Sequence, residues 1–392
     1  MNPAPVATDD RLLVWREEFP TLAGTLHFIS HSLGAMPRGA EASLLEYARI
    51  WRTRSIRAWD EVWYEFPTVA GNLIGAIIGA EPGTISMHPN VTSAQASALS
   101  ALEWKAPRNK LVCTAEDFPS VMYLYEGLER HGVEVVRVPT RDGSHRIDEN
   151  DIVTAIDERT AVVAISHVLF RTAQIVDLAP VLARAKAVGA LTLIDAYQSV
   201  GTVPVDVQAL DVDMLCGGSV KWLCGGPGAS YLYVSPRVAP NLKPAFTGWM
   251  AHQEPFDFEA RMQWHDGPRR FWNGTPAVPA IFAARAGYEI IGQVGVPVIR
   301  EKSLRQTARM LGWADEYGFP VISPRESEVR GGTVVIDVPH AYEVCEALLA
   351  TDVMLDYRPG VGLRLAPHFY TRDDEVDEVM KRVRDEVRKA GG

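Results

Sequence analysis

From Thr84 to Val234, short β-branched apolar runs alternate with longer stretches whose apolar residues recur at helical spacing, the pattern of consecutive βαβ units. The runs KLVCTA (110–115), VEVVRVP (133–139), TAVVAISHV (160–168), LTLID (191–195) and DMLCGG (213–218) predict strands. Between the third and fourth, VDLAPVLARAKAVGA carries apolar residues at helical spacing and stops at Gly189, as a crossover helix does. The predicted architecture is α/β, a mostly parallel sheet covered by helices. After GGPG (225–228) the alternating SYLYV predicts a returning strand, and the pattern then weakens through a Trp- and Pro-rich stretch from Pro244 to Pro279.

A different texture follows. Helical IFAARAGYEIIGQVG and SLRQTARMLGWADEYG precede two strand-like pieces, GTVVIDV and GLRLAP, and a charged closing helix, EVDEVMKRVRDEVRKAG. Helices flanking a small sheet predict a smaller α+β domain. The boundary falls near Asn273, giving a large domain over residues 51–272 and a C-terminal domain over 273–392. Residues 1–50 are expected to pack on the C-terminal domain. No internal repeat is visible.

Composition narrows the partners. With 392 residues, 47% hydrophobic and 22% charged, the chain lies in the ordinary globular range, which excludes disorder, collagen and coiled coil. A net charge of -10 with no basic run argues against nucleic acid or an anionic membrane as partner. No stretch approaches the roughly 18 to 20 apolar residues of a spanning helix. The first residues, MNPAPVATDDRLLVW, are acidic where a secretion signal is basic, so a cytoplasmic location is expected. Cys113, Cys216, Cys224 and Cys345 form no CxxC pair and have no His at zinc spacing, which predicts reduced, packing cysteines. His27 and His31 stand four apart in a segment that reads as extended and lacks a third ligand, so no metal site is expected.

Two residues suggest chemistry. Asp195 ends LTLID, and ligands of open α/β sheets bind at the carboxyl ends of strands, although an acid there also serves as a helix cap or turn residue. Lys221 follows the next strand among glycines in GGSVKWLCGGPG. Burying an ammonium is costly unless it is paired or used, whereas a surface lysine on a loop would need no explanation. Together, an acid at one strand end and a lysine at the next supply what pyridoxal phosphate requires: an amine for the Schiff base and a carboxylate for the pyridinium nitrogen.

LIDAYQSVGTVPVDV followed by VDMLCGGSVKWLCGGPGASYLYV resembles the signature region of class V, fold-type I pyridoxal-phosphate enzymes, and within them the kynureninases. HFISHSLGAMPRG, AEDFPS, ISHVLFRTAQIVD, TGWMAH, FWNGTP and GLRLAP follow the same resemblance in order over most of the chain. It implies a large domain with a mostly parallel sheet of the seven-stranded type. It also implies Lys221 as the Schiff-base lysine, Asp195 as partner of the pyridine nitrogen, and Phe118 lying on the cofactor ring where cysteine desulfurases carry histidine. Thr92 and Ser93 match the phosphate-binding turn; hydroxyls and free N–H groups at a helix start form an anion site, and an ordinary cap uses the same geometry. Ser166, Gln198 and Trp249 match cofactor neighbours, and Thr275 a contact reaching the cofactor of a dimer partner. Arg364, with Ser32, falls on the substrate side; a planar fork of donors suits a substrate carboxylate.

The implied protein is a homodimer with sites at the subunit interface, acting on a small amino acid as a kynureninase-like lyase or hydrolase at the β carbon. The sequence departs from that pattern at Val220, Val121 and Gln198, where the group carries tyrosine, aspartate and histidine. Two of these positions lose every side-chain donor and acceptor, so a substrate other than kynurenine is expected. The alternatives are a class V aminotransferase or a desulfurase-type C–S lyase, against which stand Phe118 and the lack of an obvious mobile nucleophilic cysteine. A non-catalytic cofactor-binding regulatory module would have lost the lysine or gained a DNA-binding extension.

Overall fold

The structure, a computed structural model, describes residues 10–141 and 143–391. A two-residue strand, β1 (Leu26–His27), is followed by the seven that carry the site: β2 (Ile85–His88), β3 (Lys110–Thr114), β4 (Glu134–Val138), β5 (Thr160–Ser166), β6 (Leu191–Asp195), β7 (Met214–Gly218) and β8 (Ser230–Val234). Their order is β2-β8-β7-β6-β5-β3-β4. All neighbours run parallel except β8, which is antiparallel to both β2 and β7 and is the returning strand that SYLYV predicts.

The central strands are apolar on both faces because both are covered. On β5, β6 and β7, Val163, Ile165, Ile194 and Leu215 join one core, while Val162, Ala164, Leu193, Met214 and Cys216 join another. Successive side chains of a strand point to opposite faces, so continuous hydrophobic runs are required here. The crossover helix Leu178–Val188 is capped by Asp177, which accepts from the Ala179 N–H at 3.0 Å, and it ends at Gly189 in the left-handed conformation. Register places Ser166 beside Asp195, and Asp195 beside Cys216, at the carboxyl edge of the sheet.

Three further strands, β9 (Val334–Ile336), β11 (Asp356–Arg358) and β12 (Gly362–Leu365), form an antiparallel sheet in the order β11-β12-β9. Val334, Ile336, Leu363 and Leu365 pack with Met310, Val376 and Val379 in a third core. The short strand β10 (Val353–Met354) pairs in parallel with β1, and Phe28 is buried in the same core. Arg16 grips Glu375 with two bonds of 2.6 and 2.9 Å. Helix Arg38–Arg54 packs on helix Val278–Val294, which falls within 273–392 but whose Phe282 stacks on Phe66 at 3.9 Å between centroids, within the core of the large sheet.

Edge strand β2, the hairpin strand β11 and the helices Arg38–Arg54 and Phe66–Ile77 had no counterpart in the sequence reading. The helix predicted over SLRQTARMLGWADEYG begins earlier, at Val296, because Gly295 at φ +84 turns the chain and Pro297 suits a first helical turn. Among the described residues no helix is long and apolar enough to cross a membrane.

Candidate active site

Six of the residues singled out from the sequence line one cavity of about 230 Å³ at the carboxyl ends of β5 and β6: Thr92, Phe118, Ser166, Asp195, Gln198 and Lys221. Asn90, Val91, Ser120, Val168, Phe170 and Tyr197 complete its wall. The Lys221 amine stands over two aromatic rings, 4.4 Å from the centre of Tyr197 and 5.5 Å from that of Phe118. Phe118 in turn meets Phe170 edge to face at 5.2 Å. Tyr197 reaches this position only because residue 218 is glycine, where a Cβ would lie 2.3 Å from its ring. The turn before the lysine is held by the Gly34 N–H donating to the Val220 carbonyl at 2.8 Å, and a Cβ on Gly34 would collide with the Lys221 carbonyl.

Asp195 is buried in the wall of the same cavity. Its Oδ1 accepts the Tyr197 N–H at 2.9 Å, while Oδ2 is approached only at 3.5 Å by the Gln95 amide, itself fixed by the Tyr125 hydroxyl at 2.6 Å. Burial raises the Asp195 pKa, against the Tyr197 N–H and the Lys221 charge, which lower it. Burial lowers the Lys221 pKa; Asp195 opposes this, and Arg364 and Arg358 reinforce it. Beside the pair, buried Asp117 accepts from the Thr114 N–H and hydroxyl at 2.7 and 3.0 Å and from the Ser166 N–H at 2.7 Å, fixing the turn that presents Phe118.

At the mouth, helix Val91–Leu99 points its N-terminus at the cavity, with Asn90 as its cap. Ser93 is not brought to the wall: its N–H and hydroxyl both bond Asn90 Oδ1, at 2.8 and 3.0 Å, so it serves the cap. The Gln198 amide is engaged at both ends, donating to the His31 carbonyl and accepting from the Trp222 indole, each at 3.0 Å.

The remaining candidates lie elsewhere within one chain. Trp249 sits in an exposed aromatic group with Phe256 and Phe258, at 5.5 and 6.0 Å. Thr275 lines a separate hollow with His88 and Trp272. Ser32 follows the buried His31, its N–H bonded to the Ile29 carbonyl at 2.8 Å. Arg364 stands behind the wall and donates to the carbonyl of cavity-lining Phe170 at 2.7 Å. Asn90, Ser120 and Phe170 were overlooked, although Ser120 and Phe170 stand inside motifs already singled out and Asn90 lies two residues before Thr92. Tyr197, two residues past Asp195 in LIDAYQSVG, was signalled by its place at a strand's carboxyl end and by that motif.

The family model for class V aminotransferases matches residues 68–360. The kynureninase of Burkholderia pseudomallei strain 1106a is 30% identical over 392 residues, covering 96% of this chain and 92% of its own. That of Bacillus cereus strain ZK / E33L is 32% identical over 384 residues, covering 94% and 89%. Among solved structures, a cysteine desulfurase from Thermococcus onnurineus NA1 superposes with a TM-score of 0.85 at 20% identity, covering 99% of this chain and 100% of its own. The cystine C–S lyase C-DES, in complex with its product cysteine persulfide, gives 0.85 at 20% identity, covering 94% and 99%. These likenesses show a shared fold, that of fold-type I enzymes, and the sequence matches go further: the chain belongs to the class V aminotransferase family.

Proposed function

We propose that this chain is a pyridoxal-phosphate-dependent enzyme acting on a small amino acid, a kynureninase-like lyase or hydrolase at the β carbon whose substrate is not kynurenine. The observation that carries this reading is the Lys221 amine set over the Tyr197 and Phe118 rings, in one cavity with a buried carboxylate that has one lightly engaged oxygen. The residues fit the cofactor. Phe118 and Tyr197 offer two ring faces, Asp195 Oδ2 an acceptor for a ring N–H, and the start of helix Val91–Leu99 with Thr92 and Ser120 an anion site. A C-DES variant bears glycine covalently linked to this cofactor on the same fold. Bound there, pyridoxal phosphate supplies a sink for negative charge at the α carbon of an amino acid.

The chain's own residues do the rest. Lys221 anchors the cofactor and then serves as the base that takes the α proton, a role helped by the burial that lowers its pKa. Asp195 keeps a proton on the ring nitrogen; each pKa unit of that pairing is worth about 1.4 kcal/mol. Arg364 holds the substrate carboxylate. All four cysteines are buried and none lines the cavity, which places the β-carbon reading ahead of a desulfurase type that works through a mobile thiol. Borohydride reduction of the holoenzyme followed by peptide mapping is expected to find the cofactor on Lys221. A label on another lysine overturns the assignment.

The same reading makes the active unit a homodimer. Trp249 and Thr275, which do not line their own chain's cavity, would reach the partner's, and the exposed Trp51, Ile56 and Phe246 would be covered. Light scattering should return twice the 43.2 kDa chain mass. A fully active monomer would refute it.

A further inference from the structure

Arg364 does not wait with an empty fork. Its Nε donates to Asp356 Oδ1 at 2.7 Å and its Nη2 to Asp356 Oδ2, while Nη1 donates to the Phe170 carbonyl at 2.7 Å. A guanidinium carries five N–H donors, so two remain, one on each terminal nitrogen. Asp356 faces Arg364 directly across the β11–β12 hairpin, in register. It also takes His31 Nε2 at 3.0 Å and Arg358 Nη2 at 3.2 Å. Arg364 and His31 are almost fully buried, at 2% exposure each.

We propose that Asp356 is the positioning residue for Arg364: it locks one edge of the guanidinium and leaves the donors of the two terminal nitrogens for a single carboxylate, that of the amino-acid substrate. The inference rests on the reading of Arg364 as the carboxylate receptor and adds what holds it in place. Charge supports it. His31, its pKa pushed down to about 3 by burial and by Arg364, is neutral and donates its Nε2 proton to Asp356. Asp356 stays ionised because the His31 and Arg364 bonds outweigh the burial that would raise its pKa. Two arginines and one carboxylate then leave one positive charge, which one substrate carboxylate neutralises. The proximity of the cluster to Lys221 is registered in the Lys221 pKa, which Arg364, Arg358 and Asp356 all move.

The positioning geometry explains why Asp356 adds to affinity although its charge repels the ligand. Without it, a buried fork loses two of its three protein bonds and its fixed plane, and a carboxylate must order the guanidinium as it binds. The test titrates holoenzyme with L-alanine and with ethylamine, which lacks the carboxylate, following the cofactor's visible spectrum. Asp356→Asn is expected to weaken L-alanine about 10- to 100-fold, the order lost when a residue that orients a metal ligand is removed, and to leave ethylamine unchanged. Arg364→Lys should weaken L-alanine similarly, and the double variant no further than Arg364→Lys alone, because Asp356 acts through Arg364. If the Asn variant does not hold its cofactor, Asp356→Ser is read in the same way. Unchanged or tighter L-alanine binding in the Asp356 variant, beside a weakened Arg364→Lys, overturns the positioning role alone. Unchanged binding in Arg364→Lys overturns the receptor reading itself. Equal weakening of both probes by the Asp356 variant reduces Asp356 to a structural pair and also defeats the proposal.

Discussion

Asp195→Asn holoenzyme should keep its cofactor and lose roughly 10²- to 10⁴-fold in turnover, the range of a lost proton-handling group. Asparagine is nearly isosteric, and its carbonyl still accepts the Tyr197 N–H that Oδ1 now holds at 2.9 Å, so the loop beyond β6 keeps its course. The loss is the charge that favours a protonated ring nitrogen. Two to three pKa units of lost pairing amount to about 3 to 4 kcal/mol, enough for the lower half of that range. Because Asp195 is buried, water cannot replace the missing charge. Steady-state rates normalised to cofactor content measure the effect; a variant within about tenfold of its parent would make Asp195 a structural residue.

Kynurenine should be turned over about 10²- to 10⁴-fold more slowly than the chain's own substrate, with little anthranilate released. Three positions carry this expectation. Val121 is buried in helix Pro119–Leu128 and has no polar side-chain atom to offer. Val220 contributes only its carbonyl, which holds Gly34. Gln198 is polar and lines the cavity, yet its amide is tied at both ends by His31 and Trp222, so it is no free proton carrier. Parallel assays of kynurenine, 3-hydroxykynurenine and a panel of β-substituted amino acids decide the matter. Efficient anthranilate release would overturn the expectation.

The central strands were legible because burial on both faces writes itself as unbroken apolar runs, and Asp195 and Lys221 because polar residues stand out where such runs end. Edge strand β2 was not, since its four residues, ISMH, are half polar and Ser86 and His88 bond each other at 2.9 Å. The taking of Arg364 by Asp356 was hidden for another reason. It depends on a register between β11 and β12, and only the Pro359–Gly360 pair, a turn signal, points to that hairpin. Motif matching does not tell the members of the Thr-Ser pair apart: Thr92 lines the cavity, while the Ser93 hydroxyl bonds the Asn90 cap. Trp249 and Thr275 do not line the Lys221 cavity of their own chain, and no sequence pattern shows which cavity a residue will face.

The parallel pairing of β1 with β10 has a consequence for anyone recombining this protein with its relatives. The C-terminal unit is not contiguous in the chain: Leu26–His27 completes it, Phe28 fills its core, and Arg16 clasps Glu375. His31 then bonds Asp356 three residues beyond β10's start. A chimaera with a single crossover ahead of β9 would mate a foreign sheet with a native opening strand, and a foreign hairpin with a native histidine. The exchangeable module has two pieces, roughly residues 11–32 and the stretch from helix Val296–Tyr317 onward, whose Met310 packs in the same core, and a transplant of specificity must move them together.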